Sequence, residues 1–165
     1  MTNDTLTTVQ VHRIFINASA QAVWDAITAP GWSERYGYGG STTYDLRPGG
    51  AYQVKASPEM LQFGAPETVV DGEVIEADPP RKLVQTWRML MDPEAAAEGF
   101  TRLTYEIEDA PGGGVRLTVA HDLAGAPKLA VMVGGEMLDS AGGGWDWVLS
   151  TLKTLLETGE PWPRG

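Results

Sequence analysis

Apolar and polar residues alternate along much of the chain in short runs, which are separated by clusters of glycine, proline and aspartate. Short runs that are rich in β-branched and aromatic residues are typical of strands. The clusters of glycine and proline are typical of turns. In Arg47-Pro48-Gly49-Gly50, for example, proline fixes φ and the glycines permit the positive φ of a tight hairpin. We predict strands at residues 8–17, 42–46, 51–56, 68–77, 82–90, 101–108 and 115–121.

The end of the chain has a helical period instead. Apolar residues recur there at spacings of three and four, which places them on one stripe of an amphipathic helix. The stripe consists of Trp145, Val148, Leu149, Leu152, Leu155 and Leu156. Gly159 ends this helix, whereas Leu138 and Ala141 continue the stripe upstream and put a candidate start near Gly135.

Shorter helices are predicted near the first strand and in the middle of the chain. Ser19 is a suitable N-cap for a helix over Ala20–Thr28, and a second short turn of helix is expected at residues 31–35. Asp92-Pro93 begins a further helical turn, which Gly99 ends.

Residues 58–66 are predicted to form a loop, although they include Met60, Leu61 and Phe63. Apolar side chains in a loop need a surface to pack against. One hypothesis is that this loop closes over the mouth of a cavity. The alternative is that it packs on the neighbouring hairpin and never opens.

The order of elements is strand, short helices, a series of antiparallel strands and a long helix, which indicates an α+β domain whose helix covers the apolar face of the sheet. Four landmarks occur along this order. They are Val23-Trp24-Asp25-Ala26, Arg47-Pro48-Gly49-Gly50-Ala51-Tyr52, Gly72-Glu73-Val74-Ile75-Glu76 continuing through Pro79-Pro80 to Leu83-Val84-Gln85-Thr86-Trp87, and Gly144-Trp145. Together they resemble the START-like (SRPBCC) superfamily, and within it the branch named after the activator of the Hsp90 ATPase.

This resemblance implies a helix-grip fold, in which a curved antiparallel sheet wraps around a long C-terminal helix and two short helices follow the first strand. It also implies a cavity between sheet and helix. We expect residues 1–165 to form a single START-like domain, with its core at about residues 9–158. The fold does not define an activity.

Composition narrows the classes of function. The net charge of −10 opposes binding to nucleic acids and to anionic lipid surfaces, and no apolar run reaches the roughly 18 residues of a membrane span. The chain has no cysteine and no visible secretory signal, so we expect a cytoplasmic location. The glycine clusters lack the phosphate-loop and dinucleotide patterns, and two distant histidines without any cysteine argue against a metal site. We therefore expect neither a cofactor nor a metal.

His121 is the best single candidate for chemistry. Strand alternation places Leu117, Val119 and His121 on one face, so this histidine should point toward the mouth of the cavity. There it could transfer a proton near neutral pH. The alternative is a structural histidine that bonds a backbone carbonyl or Asp122. His12, the other histidine, is expected at the surface.

Aromatic and methionine side chains come from elements that should surround the groove between sheet and helix, a lining that suits an apolar small molecule. The residues predicted to bind such a ligand are Tyr52, Phe63, Gln85, Trp87, Met89, Tyr105, His121, Met137 and Trp145. The alternative is a packed core, which any domain of this size also needs. Arg88 is expected on the opposite, solvent-facing side of its strand. Trp147, on the polar side of the last helix, is expected to contact either a second copy of the chain or the tail at residues 161–163.

Three functions follow as hypotheses. The first is the binding of a hydrophobic or aromatic small molecule, without a cofactor. The second, implied by the resemblance, is a cyclase-, dehydratase- or hydrolase-like enzyme with His121 as acid/base and Tyr105 as a possible helper. The third is a co-chaperone-like interaction module, and a homodimer is a further possible assembly.

Overall fold

A computed structural model of the chain describes residues 9–134 and 143–163. Its strands form one antiparallel sheet in the order β1-β7-β6-β5-β4-β3-β2, so that β1 and β2 are the two edges. The strands are β1 (Val9–Ile16), β2 (Ser41–Tyr44), β3 (Ala51–Lys55), β4 (Thr68–Asp78), β5 (Lys82–Met89), β6 (Thr101–Asp109) and β7 (Val115–Asp122). All seven lie where the alternating pattern predicts them.

Five α-helices accompany the sheet in the described residues, together with one 3₁₀ turn at Ser33–Arg35. The helices are α1 (Ala20–Thr28), α2 (Pro58–Gln62), α3 (Pro93–Ala97), α4 (Pro127–Val133) and α5 (Gly144–Thr158). The predicted caps form, since the Ser19 hydroxyl accepts a hydrogen bond from the Ala22 amide and the Asp92 carboxylate accepts from Glu94 and Ala95. Gly159 ends α5 in the left-handed conformation.

The long helix α5 packs on β1, α1 and α4 and covers the inner face of the sheet. Trp145, Leu149, Leu152 and Leu155 of its predicted stripe are buried. They meet a sheet whose inward positions are almost all apolar, so the core lies between these two layers. This arrangement is the helix-grip fold, and the predicted fold class is confirmed.

Gly72 explains one of the landmarks in physical terms. A Cβ atom at this position would lie 2.0 Å from the carbonyl oxygen of Thr86 on the neighbouring strand. Only glycine therefore lets β4 approach β5 this closely, just before the register between the two strands shifts near Val74.

Two helices were not expected from the sequence. The predicted loop at residues 58–66 begins with helix α2, whose N-cap Ser57 accepts a hydrogen bond from the Met60 amide. Helix α4 was missed, because its run of small and apolar residues between Pro127 and Gly134 has no polar face to reveal the period. The candidate upstream start of α5 near Gly135, with Leu138 and Ala141, lies outside the described residues.

Trp147 packs within the chain rather than projecting freely. Its indole N–H donates to the carbonyl oxygen of Gly37 at 2.9 Å. Its ring forms an edge-to-face contact with Trp162 of the tail, at a centroid distance of 5.7 Å. Of the two alternatives for this residue, the structure contains the contact with the tail.

Candidate ligand-binding site

The strand register aligns two rows of side chains across the inner face of the sheet. Antiparallel neighbours lie directly opposite each other, so each row crosses β1, β7, β6 and β5 in turn. The first row is Gln10, His121, Leu103 and Gln85, and the second is His12, Val119, Tyr105 and Leu83. Neither row contains a lysine, an arginine, an aspartate or a glutamate.

His121 in the first row is completely buried, and both of its ring nitrogens have partners. The indole N–H of Trp145 donates to Nδ1 at 3.1 Å. Nδ1 is therefore the acceptor, and Nε2 carries the proton that it donates to Oγ1 of Thr101 at 2.8 Å. The Thr101 hydroxyl in turn donates to the carbonyl oxygen of Trp87 at 2.8 Å. Both ring nitrogens of His121 and the hydroxyl of Thr101 are therefore satisfied.

The environment keeps the His121 ring neutral. Burial lowers its pKa from 6.5 to about 4, an effect that Asp122 opposes and His12 slightly reinforces. Edge-to-face contacts with the Trp87 and Trp145 rings, at 5.3 and 5.8 Å, fix its orientation. A neutral ring with both nitrogens engaged has no free position for proton transfer, so the geometry favours the structural alternative, with partners other than the two anticipated.

A tyrosine-rich region lies further along the sheet. The hydroxyl of Tyr44 donates to Oε1 of Gln85, whose amide nitrogen donates to the carbonyl oxygen of Thr86 at 3.2 Å. The Tyr44 ring stacks at a tilt on Tyr52, with a centroid distance of 4.6 Å. Nearby, the Tyr36 hydroxyl donates to the carbonyl oxygen of Ala26 at 2.8 Å. The hydrogen bonds with Tyr44 and Thr86 orient the buried Gln85 side chain.

The tyrosines of this region pack against the core, but several of their side chains keep accessible surface. Burial raises the pKa of Tyr36, Tyr44, Tyr52 and Tyr105 well above its usual value, and desolvation is the largest cause for each. Tyr36, Tyr44 and Tyr105 are nevertheless only partly buried by accessible surface. The hydroxyl of Tyr105 makes no hydrogen bond with another described residue, and its ring meets Trp145 edge-on at 6.3 Å.

At the β1 end of the two rows, polar groups are left without partners. The amide nitrogen of Gln10 donates to the carbonyl oxygen of Ala130 at 2.9 Å, and Nδ1 of His12 lies 3.3 Å from the Asp146 carboxylate. Within the described part of the chain, Oε1 of Gln10 and Nε2 of His12 are buried and have no hydrogen-bond partner.

The expectation that His12 lies at the surface is wrong. Its side chain is only 18% exposed and faces α5. In β1 the inward positions are Gln10, His12, Ile14 and Ile16, whereas the outward ones include Val9, Val11 and Phe15. The edge strand therefore carries apolar residues on both faces, and alternation of polarity does not identify its inner face.

The structure brings together most of the residues predicted to bind a ligand. Tyr52, Gln85, Trp87, Tyr105, His121 and Trp145 all lie on the inner face or on the helix that covers it. Met89 is partly buried against the same core. Arg88 lies on the outer side, as expected, where it pairs with Asp71 at 2.7 Å.

Two predicted residues do not join this group. Phe63 follows α2 and is 88% exposed, so it does not face the inner side of the sheet in this structure. Its neighbour Met60 packs against the core instead. Met137 lies outside the described residues. Sequence reasoning missed Gln10, His12, Tyr36 and Tyr44, and only the place of Tyr44 opposite Tyr52 in the predicted hairpin signalled one of them.

Other parts of the described surface carry weaker candidates. Two open depressions lie around the β6–β7 turn, near Asn17 and Gly113, and none of the predicted ligand-binding residues lines either of them. Within residues 9–134 and 143–163, no three acidic, histidine or cysteine side chains group as a metal site would require. No helix in the same ranges is long and apolar enough to cross a membrane.

Comparisons with known proteins agree with this architecture. The family model described as Activator of Hsp90 ATPase homolog 1-like protein matches residues 17–157. A search of curated proteins finds no match. Among solved structures, CalU16 from Micromonospora echinospora is similar, with 20% identity, a TM-score of 0.65, and coverage of 92% of this chain and 77% of that one.

Two further solved structures are similar to this chain. PFC0360w, an HSP90 activator from Plasmodium falciparum, has 18% identity and a TM-score of 0.54 over 70% of this chain and 73% of its own. The Aha1 dimer from Colwellia psychrerythraea has 17% identity and a TM-score of 0.60 over 92% of this chain and 97% of its own. At these identities the neighbours establish the fold alone.

Proposed function

Because the chain belongs to the activator of Hsp90 ATPase homolog 1-like family, we propose that it uses the START-like scaffold to bind a mostly apolar, aromatic small molecule. The ligand lies between the inner face of the sheet and α5. The observation that carries this proposal is Tyr105 on the inner face of the sheet, which keeps accessible surface and whose hydroxyl makes no hydrogen bond with another described residue.

A side chain on the outer surface keeps both its accessible area and its hydration. A side chain in a filled core loses both. Tyr36, Tyr44 and Tyr105 pack against the core, keep residual accessible area and have a pKa that burial raises, which is the combination expected of residues that line an internal space. In addition, the hydroxyl of Tyr105 is available to form a hydrogen bond with a ligand.

The chemistry of the lining supports an apolar ligand with few polar substituents. Trp87, Trp145 and Tyr105 offer aromatic faces and edges, which favour contact with planar rings. Gln85 is already committed to Tyr44 and to the backbone. Binding therefore depends mainly on apolar area, with a small number of hydrogen bonds to fix the orientation.

The enzymatic alternative loses its main support in this geometry, because His121 has no nitrogen available to act as acid or base. No catalytic residue is assigned in its place. A co-chaperone-like role, a homodimer and a cytoplasmic location stay predictions, which the ligand experiment below does not require.

The test is native mass spectrometry of the purified protein, followed by titration of tryptophan fluorescence with a panel of polycyclic aromatic compounds. Trp145 and Trp147 lie two residues apart on α5 but on different faces, so they provide a matched pair. We expect Trp145→Phe to abolish most of the ligand-induced quenching and Trp147→Phe to preserve it. An apo mass together with no quenching across the panel would refute the proposal.

A further inference from the structure

The inner face of β1 contains two buried hydrogen-bond acceptors that have no partner in the described structure. They are Oε1 of Gln10 and Nε2 of His12, at successive inward positions of the same strand. A buried polar atom without a partner is unfavourable, and native proteins rarely keep one unless a water molecule or a ligand satisfies it. The two atoms belong to successive inward residues, and together they form a polar position on the inner face of β1.

The chemical character of both atoms follows from their own neighbours. The amide nitrogen of Gln10 donates to the carbonyl oxygen of Ala130, so the orientation of the amide is set and its oxygen faces the interior as an acceptor. The His12 ring directs Nδ1 towards the Asp146 carboxylate, which can only accept. The proton therefore belongs on Nδ1, and Nε2 offers a lone pair.

This position adjoins the proposed ligand site. His12 belongs to the same cross-strand row as Tyr105, and Gln10 is the direct neighbour of His121 on β7. The Trp145 ring contacts His121, the neighbour of Gln10, and also contacts Tyr105. It therefore lies next to both the two acceptors and the tyrosine-rich region. A molecule packed against Trp145 would extend one end towards the two acceptors.

We infer that the ligand carries a hydrogen-bond donor on an apolar aromatic frame, either an amino group that donates to both Oε1 of Gln10 and Nε2 of His12 or a hydroxyl that donates to one of them. The inference rests on the proposed function and specifies its substrate class. A carboxylate has no proton to donate, and it would meet the negative charge of Asp146 without a lysine or arginine in either row. Free fatty acids and aromatic acids are therefore disfavoured as ligands.

The experiment compares three probes that share one frame, naphthol, methoxynaphthalene and naphthoate, by isothermal titration calorimetry at neutral pH with the wild-type protein. We expect naphthol to bind about five- to tenfold more tightly than methoxynaphthalene, which corresponds to one good hydrogen bond. Naphthoate is expected to bind more weakly than either. Failure of all three to bind would refute the proposed function itself.

Equal binding of naphthol and methoxynaphthalene would overturn this inference and leave the proposed function intact, since the two acceptors would then hold water at most. Two variants locate the effect. Because the naphthol hydroxyl has one proton to donate, at least one of His12→Phe and Gln10→Leu should reduce the preference for naphthol without weakening the binding of methoxynaphthalene. The control is Arg13→Leu, at the exposed outward position between His12 and Ile14, which should preserve the preference. A preference that survives both inner variants would also contradict the inference.

Discussion

The two histidines of this protein occupy neighbouring strands of one sheet face, but their surroundings differ. His121 on β7 has strands on both sides and α5 above it, and both of its nitrogens are satisfied. His12 on the edge strand β1 has one strand neighbour, and one of its nitrogens is buried without a partner. His121, which the sequence indicates as the candidate for proton transfer, has a structural role in the fold. The nitrogen without a partner belongs to His12, on the edge strand.

The largest effect expected from this comparison is on stability. His121→Ala leaves the Trp145 indole and the Thr101 hydroxyl facing a cavity, and should lower the free energy of unfolding by about 2–4 kcal/mol. His12→Ala removes a side chain whose buried nitrogen has no partner, and should cost about 1 kcal/mol or less. Urea denaturation of the two variants measures the difference. Equal losses would mean that the two sites are energetically alike.

The second effect is a pH dependence of stability that comes from His121. Its pKa is about 4 in the folded protein and about 6.5 when unfolded, so between these values the unfolded state binds more protons. Its contribution to stability is therefore complete above about pH 6.5, declines as the pH falls and is lost below about pH 4. The loss amounts to roughly 3 kcal/mol.

The control for this pH dependence is His121→Gln, because the carboxylates also titrate in acid and their contribution must be subtracted. We expect the variant to be less stable at neutral pH, with a shallower decline between pH 6.5 and pH 4. Parallel curves for the two proteins would mean that the pKa of His121 does not fall on folding.

The fold can be predicted well from the sequence because strands, helix caps and turns depend on residues that are close together in the chain. Alternation places the seven strands, Ser19 and Asp92 cap their helices, and Gly72 allows the close approach of β4 to β5. Residues on central strands, such as Gln85 and Tyr105, are also assigned to the correct face. Central strands have one polar face, which makes the alternation unambiguous.

The site is less predictable, because it depends on contacts between distant segments. Whether His121 is free or engaged is decided by Trp145 and Thr101, 24 and 20 residues away. Phe63 was assigned to the lining from its apolar character, but helix α2 directs it outward and Met60 inward. His12 was misplaced because both faces of β1 carry apolar residues.

A third effect, of intermediate size, measures how much the hydrogen bonds of Thr101 with His121 and Trp87 contribute to stability. Thr101→Val keeps the shape of the side chain but removes the hydroxyl that accepts from Nε2 and donates to Trp87. We expect a loss of about 1–3 kcal/mol, because the Nε2 proton becomes a buried donor without an acceptor. Thr101→Ser, which retains the hydroxyl, should lose less. If both variants unfold at the same urea concentration, the hydroxyl makes no net contribution.

The smallest effect concerns the carboxylate that faces His12. Asp146 is 68% exposed, so water screens its interaction with Nδ1, and Asp146→Asn should change the free energy of unfolding by no more than about 0.5 kcal/mol. The asparagine can present a donor to Nδ1, which removes the reason for the proton to stay there. Nitrogen NMR of the imidazoles should therefore show a changed tautomer balance for His12 and an unchanged one for His121, whose protonated nitrogen is set by Trp145. A shift at both histidines would mean that the edge and the centre of the sheet are coupled, and that the unsatisfied position on β1 is not independent of the satisfied one on β7.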